Sequence, residues 1–516
     1  MKNQLNASSL FQFSACVALL VLLSASVANA QSDPVPYPAD ELDTFQGCSL
    51  GIRLELEDEQ LIVSNVYEHV VESSPFEKHD RILKIGELSF PGSALTELGE
   101  LLDKTEPDTN MAVSVQRGEE RLRLNVETFR KEFVDIQAIY RRLRNNRIIE
   151  KHLKETGREE LMDEMADRMA DSVRKSETPR EAAEALNRIL DEINVSHTAI
   201  IPASAGLAFS NRAKGSIGLV LQRHNINGRV GYFIVDKKPG SPSYFSALKL
   251  GDEILTINNV PIAQSRRLDL SGHEARHKLF SIDSDIDEEV SLGFARTPFD
   301  DPELVTLVTG KDPSTVNAML ASKKILESDK SNIGYLRFWN LMSMGISTQF
   351  SKILGEEFSN CDGLIMDLRG RGGIVPAVTS LNQTVAKLDK PVVVVIDGLT
   401  RSAKEMLAYL LKKHDHVLVV GMKTAGAVTG ATIANLPSGN SLMFPVASAD
   451  SLKQFVDGAI IEGIGVEPDE EVNYFVPYSA GEDRILKVAL QRVTEMAKSS
   501  NQSGTQQVLT PTLGEK

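Results

Sequence analysis

The stretch PVVVVIDGLTRSAKEMLAYLLKK, residues 391–413, decides the fold. It opens with a run of apolar, mostly β-branched residues, which reads as a fully buried strand. The chain then turns. Met406, Leu407, Leu410 and Leu411 lay the apolar stripe of an amphipathic helix. Ser402 opens that helix and, with Glu405, fits the S-x-x-E capping box, where the hydroxyl takes an orphan N–H and the carboxylate returns the bond. A serine at a strand-to-helix turn is also where esterases and proteases place a nucleophile. Taken alone, the stretch leaves both readings open.

The same alternation extends on both sides. GYLRF is a strand and residues 346–358 a helix; GLIMDLR is a strand and 375–388 a helix; HVLVVG follows as a strand. Strand–helix alternation requires crossover connections and predicts a mostly parallel sheet. Residues 436–445 read as a hairpin around Pro437-Ser438-Gly439-Asn440. In open α/β sheets ligands collect at the carboxyl ends of the strands. There DLRGRGGI, from Asp367, ends one strand in a glycine-rich turn, and the next strand delivers Ser402. Free N–H groups at such a turn can hold an oxyanion, and a tight turn needing positive φ would use the same glycines.

A length of 516 residues allows roughly three or four domains. The net charge of −15 lacks the basic footprint of a nucleic-acid partner. At the N-terminus Lys2, the apolar run CVALLVLLSASV and Ala28-Asn29-Ala30 form a signal-peptide pattern (1–30), with cleavage expected after Ala30 and export to the periplasm or medium. The apolar run is short of the about 20 residues of a membrane span, so no stable transmembrane segment is expected after cleavage. Cys48 and Cys361 survive cleavage and make no disulfide framework. Cys361 reads as a small buried residue. No H-E-x-x-H and no histidine spacing suggests a metal, and neither metal nor organic cofactor is expected.

Residues 31–44 read as an extended linker, 45–131 as a strand-rich module, 132–200 as a charged helical segment and 210–300 as a second strand-rich module. Thr178-Pro179-Arg180-Glu181 starts a helix, with Thr as N-cap and Pro at N1. HDRILKIG from His79 and GDEILTIN from Gly251 are one repeated unit. Both modules resemble the PDZ domain, which adds a peptide to its sheet edge. The resemblance places the carboxylate-binding loops at Ser49-Leu50-Gly51-Ile52 and Ser216-Ile217-Gly218-Leu219, making Leu50, Gly51, Ile52, Ile217, Gly218 and Leu219 the peptide-binding residues.

Signal peptide, PDZ, helical region, then Y-L-R-F, D-L-R-G-x-G-G, S-A-x-E and GVEPDEEV together resemble the tail-specific, or C-terminal-processing, serine proteases, over about residues 132–475. The resemblance implies a multidomain α/β protein with a ClpP/crotonase-like core over 312–480 and a C-terminal helix and disordered tail over 481–516. It makes Ser402 the nucleophile, and Gly372, Gly373 and Ala403 the oxyanion donors. One departure stands out. The family's lysine base falls at Ala427; Lys423 lies four residues away, roughly 13 Å along a strand, too far to replace it. Tricorn-type members, like the related retinoid-binding protein of the eye, lack that lysine; in tricorn proteases the base is a histidine in a Ser-His pair. Ser196-His197 matches that pair, and Glu462 the accompanying glutamate. Histidine's ordinary pKa of about 6.5 suits a base at neutral pH. The implied function is an exported serine endopeptidase acting on protein or peptide substrates, recognised through C-terminal carboxylates or gated by the PDZ modules, its oligomeric state open. The alternative is a binding or scaffold protein that kept the fold and lost the chemistry.

Overall fold

A computed structural model of the protein describes residues 41–507 apart from 46–47, 67–73, 94, 131, 177, 203–213, 271–278 and 437. The expected signal peptide and residues 508–516 lie outside the described residues. The chain divides into two compact units, one built on residues up to 138 with 435–439, the other on most of the remainder.

The first unit holds a sheet of β1 (Glu41–Phe45), β2 (Cys48–Glu57), β3 (Gln60–Val66), β4 (Arg81–Ile85), β5 (Leu88–Ser89), β6 (Asn110–Arg117), β7 (Glu120–Glu127) and β8 (Phe129–Arg130), with helix α1 (Leu95–Lys104). Leu54, Leu61, Val63, Ile82, Val113 and Val115 form its core with Leu98 and Leu102 of α1. The linker expected over 31–44 ends differently: β1 pairs antiparallel with β2, Glu41 opposite Glu55. An open strand edge offers unpaired N–H and C=O groups, and this segment fills one. Helix α2 (Glu132–Arg144) follows.

The second unit begins with α3 (Arg147–Glu155), α4 (Leu161–Arg174) and α5 (Pro179–Asp191), the last started by the expected Thr178 cap, whose hydroxyl accepts Glu181 N–H at 3.2 Å. Strand β9 (Ala199–Ile201) leads to β10 (Lys214–Ser216), β11 (Leu219–Ile226), β12 (Arg229–Lys237), β13 (Glu253–Ile257), β14 (Val260–Pro261), β15 (Leu268–Leu270), β16 (Leu279–Ile282), β17 (Ser284–Asp285), β18 (Glu289–Ala295), β19 (Glu303–Val308) and β20 (Gly310–Lys311). Phe280, Leu221, Tyr232 and Ile254 fill the centre of this module.

Then comes the α/β core: α6 (Thr315–Ser322), β21 (Lys324–Ser328), β22 (Ser331–Arg337), α7 (Gly345–Glu356), β23 (Gly363–Asp367), α8 (Val375–Val385), β24 (Val392–Ile396), α9 (Ala403–Leu411), β25 (Val417–Gly421), β26 (Gly430–Asn435), β27 (Ser441–Ala447), β28 (Glu470–Glu471) and α10 (Arg484–Gln507). The six-stranded sheet runs β21-β22-β23-β24-β25-β28, parallel from β22 onward. Successive side chains of a strand point to opposite faces. Val392, Val394 and Ile396 therefore pack with α7, α8 and α9, while Val393 and Val395 meet Ile485, Ala489 and Val493 of α10. Both faces are covered, which is why these strands read as unbroken apolar runs. The fold is the multidomain α/β architecture expected. The tail expected to be disordered is helical as far as Gln507.

Candidate active site

Asp397 follows strand β24, and its carboxylate gathers the turn. It accepts Leu399 N–H at 3.1 Å, Thr400 Oγ1–H at 2.9 Å and, from the neighbouring strand's turn, Gly370 N–H at 3.1 Å. Ser402 follows with φ 57° and ψ −130°. This region belongs almost entirely to glycine, so the backbone is strained there, and such strain concentrates at functional sites. Ser402 and Glu405 form the expected capping box. Glu405 Oε2 accepts Ser402 N–H at 3.0 Å, and Glu405 N–H also meets the Ser402 carbonyl at 2.9 Å.

Glu405 is itself buried and holds the far wall. It accepts Thr424 Oγ1–H at 2.5 Å, Gly426 N–H at 2.6 Å and Ala427 N–H at 2.8 Å. Burial pushes its pKa up, and these hydrogen bonds oppose the shift. Ala427, at the family's lysine position, is fully buried, and its carbonyl accepts Ser402 N–H at 2.8 Å. Lys423 points elsewhere, pairing with Glu467 at 2.6 Å on the surface, where the two side chains are 50% and 63% exposed. Such pairs contribute little. Lys423→Ala is expected to keep peptidase activity within about twofold and stability within about 0.5 kcal/mol, checked by hydrolysis rate and Tm.

The segment following Ala427 binds the proposed base's neighbours. Val428 N–H donates to Glu462 Oε2 at 2.7 Å and Thr429 N–H to the same oxygen at 3.0 Å. Ser196 Oγ lies 3.0 Å from Glu462 Oε2, 3.3 Å from Thr429 N and 3.1 Å from His197 Nδ1. Ser196 N–H reaches Glu462 Oε1 at 3.2 Å. A hydroxyl has one proton to give. Donated to the carboxylate, it leaves Ser196 Oγ to accept from Nδ1–H, so Nε2 carries the imidazole lone pair. Ser196 and His197 are both buried, and His197 takes a left-handed φ of 60°. They are brought here by β9, which pairs antiparallel with β27, Ala199 opposite Met443. Asn187 clamps that strand, accepting Ile200 N–H at 2.7 Å and donating to Ile200 O at 3.0 Å.

Across from Ser402 lies the glycine-rich turn. Gly370 supplies the positive φ, 82°. Gly372 and Gly373 answer to crowding instead. A Cβ on Gly372 would stand 2.6 Å from Ser402 Cβ and 3.3 Å from its Oγ, and one on Gly373 2.2 Å from Leu341 Cβ. Leu341 N–H donates to Gly372 O at 2.9 Å and Ile374 N–H to Leu341 O at 3.0 Å. Among the described residues no acceptor bonds the N–H of Gly372, Gly373 or Ala403, the last an orphan donor of the helix's first turn. Beneath the turn, buried Asp367 binds Arg369, whose guanidinium also meets Asp483 at 2.7 Å. The guanidinium groups hold Asp367 well below the usual carboxylate range against the opposing effect of burial.

The two loops expected to bind a carboxylate share a detail. Ser49 Oγ accepts Gly51 N–H at 3.0 Å, and Ser216 Oγ accepts Gly218 N–H at 3.1 Å. Leu50, Ile52, Ile217 and Leu219 are buried. The edges expected to accept a peptide pair with other strands of the chain. Strand β11 pairs with β12 and, on its other side, with β16, Leu221 opposite Phe280; β2 pairs with β3 and β1. Phe280 is fully buried, so β16 is part of its module's core.

Sequence reasoning missed Lys404. It is fully buried, its Nζ donating to Trp339 O at 3.0 Å and Arg369 O at 2.9 Å. The available signal was a lysine between Ala403 and Met406 on a helix packed on all sides.

Residues 375–472 match peptidase family S41, and residues 48–128 match the PDZ domain. The chain is 24% identical over 328 residues to a carboxyl-terminal-processing protease from a Picosynechococcus species, covering 58% of this chain and 75% of that one. It is 26% identical over 186 residues to a putative tricorn-like protease C-terminal subunit from Sulfurisphaera tokodaii, covering 32% of this chain and 21% of that one. Among solved structures, the photosystem II D1 C-terminal processing protease aligns at 18% identity and TM-score 0.39, covering 69% of this chain and 98% of that one. Residues 375–472 are thus those of a serine-type S41 peptidase and residues 48–128 those of a PDZ domain, in a chain similar to the carboxyl-terminal-processing proteases.

Proposed function

We propose that this peptidase is exported after cleavage following Ala30 and cuts polypeptides through an acyl-enzyme on Ser402, with a tricorn-like histidine base. Ser402 Oγ attacks the scissile carbonyl carbon while His197 Nε2 takes its proton. The tetrahedral oxyanion is held by the N–H groups of Gly372, Gly373 and Ala403. The C–N bond then breaks, and the imidazolium returns the proton to the leaving amine. Water, deprotonated by the same imidazole, releases the acyl group. Ser196 and Glu462 fix the ring's tautomer and orientation. The PDZ modules recognise or gate the substrate. Peptide addition at the first module requires β1 to leave the edge of β2; in the second module β16 already pairs with Leu221 and Gln222 of β11.

One observation carries this reading. Residues 427–429 bind both halves of the site: Ala427 O takes Ser402 N–H at 2.8 Å, and Val428 and Thr429 N–H hold the Glu462–Ser196 pair that touches His197. The test is a fluorophosphonate probe followed by peptide mapping. The folded protein is expected to carry the adduct on Ser402, and heat-denatured protein none. No adduct on the folded protein, or one elsewhere, would favour the inactive binding protein that Ala427 at the lysine position suggests.

A further inference from the structure

Lys404 is a buried cation that the mechanism above does not use. It lies two residues past the nucleophile, at the second position of α9, and is fully buried. Burial pushes its pKa down to about 7; Arg337 adds to the shift, and Asp367, Asp397 and Asp236 oppose it. A lysine so placed and so perturbed invites the role of general base. Its bonds point elsewhere. Nζ is committed to two main-chain carbonyls, Trp339 O at 3.0 Å and Arg369 O at 2.9 Å.

Those carbonyls belong to the two segments that form the wall opposite Ser402. Arg369 O is the last acceptor before Gly370, where the glycine-rich turn begins. Trp339 lies two residues before Leu341, whose N–H and C=O bond Gly372 O and Ile374 N. The turn is thus fixed at one end by Lys404 on Arg369 O and Asp397 on Gly370 N, and at the other by Leu341. Lys404 joins both segments to the helix that carries the nucleophile.

We infer that Lys404 is a positioning residue for the oxyanion turn: its ammonium ties the Trp339 and Arg369 carbonyls to the nucleophile helix, so that the Gly372 and Gly373 N–H groups and Ser402 keep one spacing. The inference rests on the acyl-enzyme reading of the site. Oxyanion donors act only when set where the negative charge develops, so loosening them slows the chemical step more than it weakens substrate binding.

Lys404→Met removes the donors at nearly constant volume. With dye-quenched casein as substrate, kcat is expected to fall at least about 10-fold with KM within about twofold, and fluorophosphonate labelling of Ser402 to slow in parallel. The acid limb of the kcat/KM profile, set by the histidine, should stay where it is in the wild type. An unchanged kcat with a lowered Tm would reduce Lys404 to a packing role and overturn the inference. Disappearance of the acid limb would make Lys404 the base and overturn it as well. If the Met variant does not fold, Lys404→Gln, which keeps two N–H donors on a shorter stem, should fall between wild type and background; a wild-type rate would overturn the inference. A wild type that takes no label at Ser402 would overturn the active-site reading itself, and this inference with it. A labelled wild type with an equally fast Lys404→Met variant would overturn this inference alone.

Discussion

Ser402→Ala and His197→Ala are each expected to lower kcat by about 10⁴-fold or more, and the double variant little further. Nucleophile and base act as one unit, so removing either abolishes the same step, and what remains is the catalysis of the oxyanion donors and of binding. Neither change should unfold the protein. Loss of the Ser402 hydroxyl removes one half of the capping box, but Glu405 N–H keeps the Ser402 carbonyl at 2.9 Å. Alanine at 402 retains the strain of a φ of 57° without adding to it. Single-turnover hydrolysis of an unfolded protein, together with circular dichroism, measures both. Additive losses in the double variant would mean that His197 acts on something other than the Ser402 proton. A His197→Ala variant within tenfold of the wild type would remove the histidine from the mechanism altogether.

Gly372→Ala is expected to cost about 10²-fold or more in kcat/KM, because a small misplacement of reacting groups is enough for a loss of that size. The added methyl would sit 2.6 Å from Ser402 Cβ and 3.1 Å from Arg401 O, so either the turn or the nucleophile must move. The loss should appear in kcat and in the rate of fluorophosphonate labelling, with folding retained. Gly355→Ala is the control. That glycine lies inside α7 with nothing within 4 Å of the added methyl, and alanine there should stabilise by about 0.5–1 kcal/mol without touching activity. Wild-type activity in Gly372→Ala would show that the turn does not face the reacting atoms.

Much of this was readable along the chain. The parallel sheet followed from unbroken apolar strands alternating with amphipathic helices, since both faces of each strand are covered. The serine at 402 stood out because a strand-to-helix turn is a local feature. The loops at Ser49 and Ser216 were placed by the PDZ resemblance, and the structure gives both serines the same bond, a hydroxyl accepting an N–H two residues on. Other features were not readable. The closure of the β11 edge by β16 depends on pairing across residues 221 and 280, which no periodicity announces. The strained backbone at Ser402, with φ 57°, is likewise something that a capping pattern cannot reveal.

The sequence by itself determined the α/β core, the resemblance to the C-terminal-processing peptidases and a serine at a strand-to-helix turn, because periodic burial, turn chemistry and short motifs act between near neighbours. It supplied His197, Ser196 and Glu462 as residue types at matching positions, without bringing them together. Tertiary structure decided that part: β9 pairs with β27, and one carboxylate gathers Ser196 with the backbone of 428–429. It also decided that Lys404 is buried and bound to two carbonyls. The physical reason is the same in both cases. A long-range strand pair or a desolvated charge is fixed by what packs against it, and those partners lie tens to hundreds of residues away along the chain.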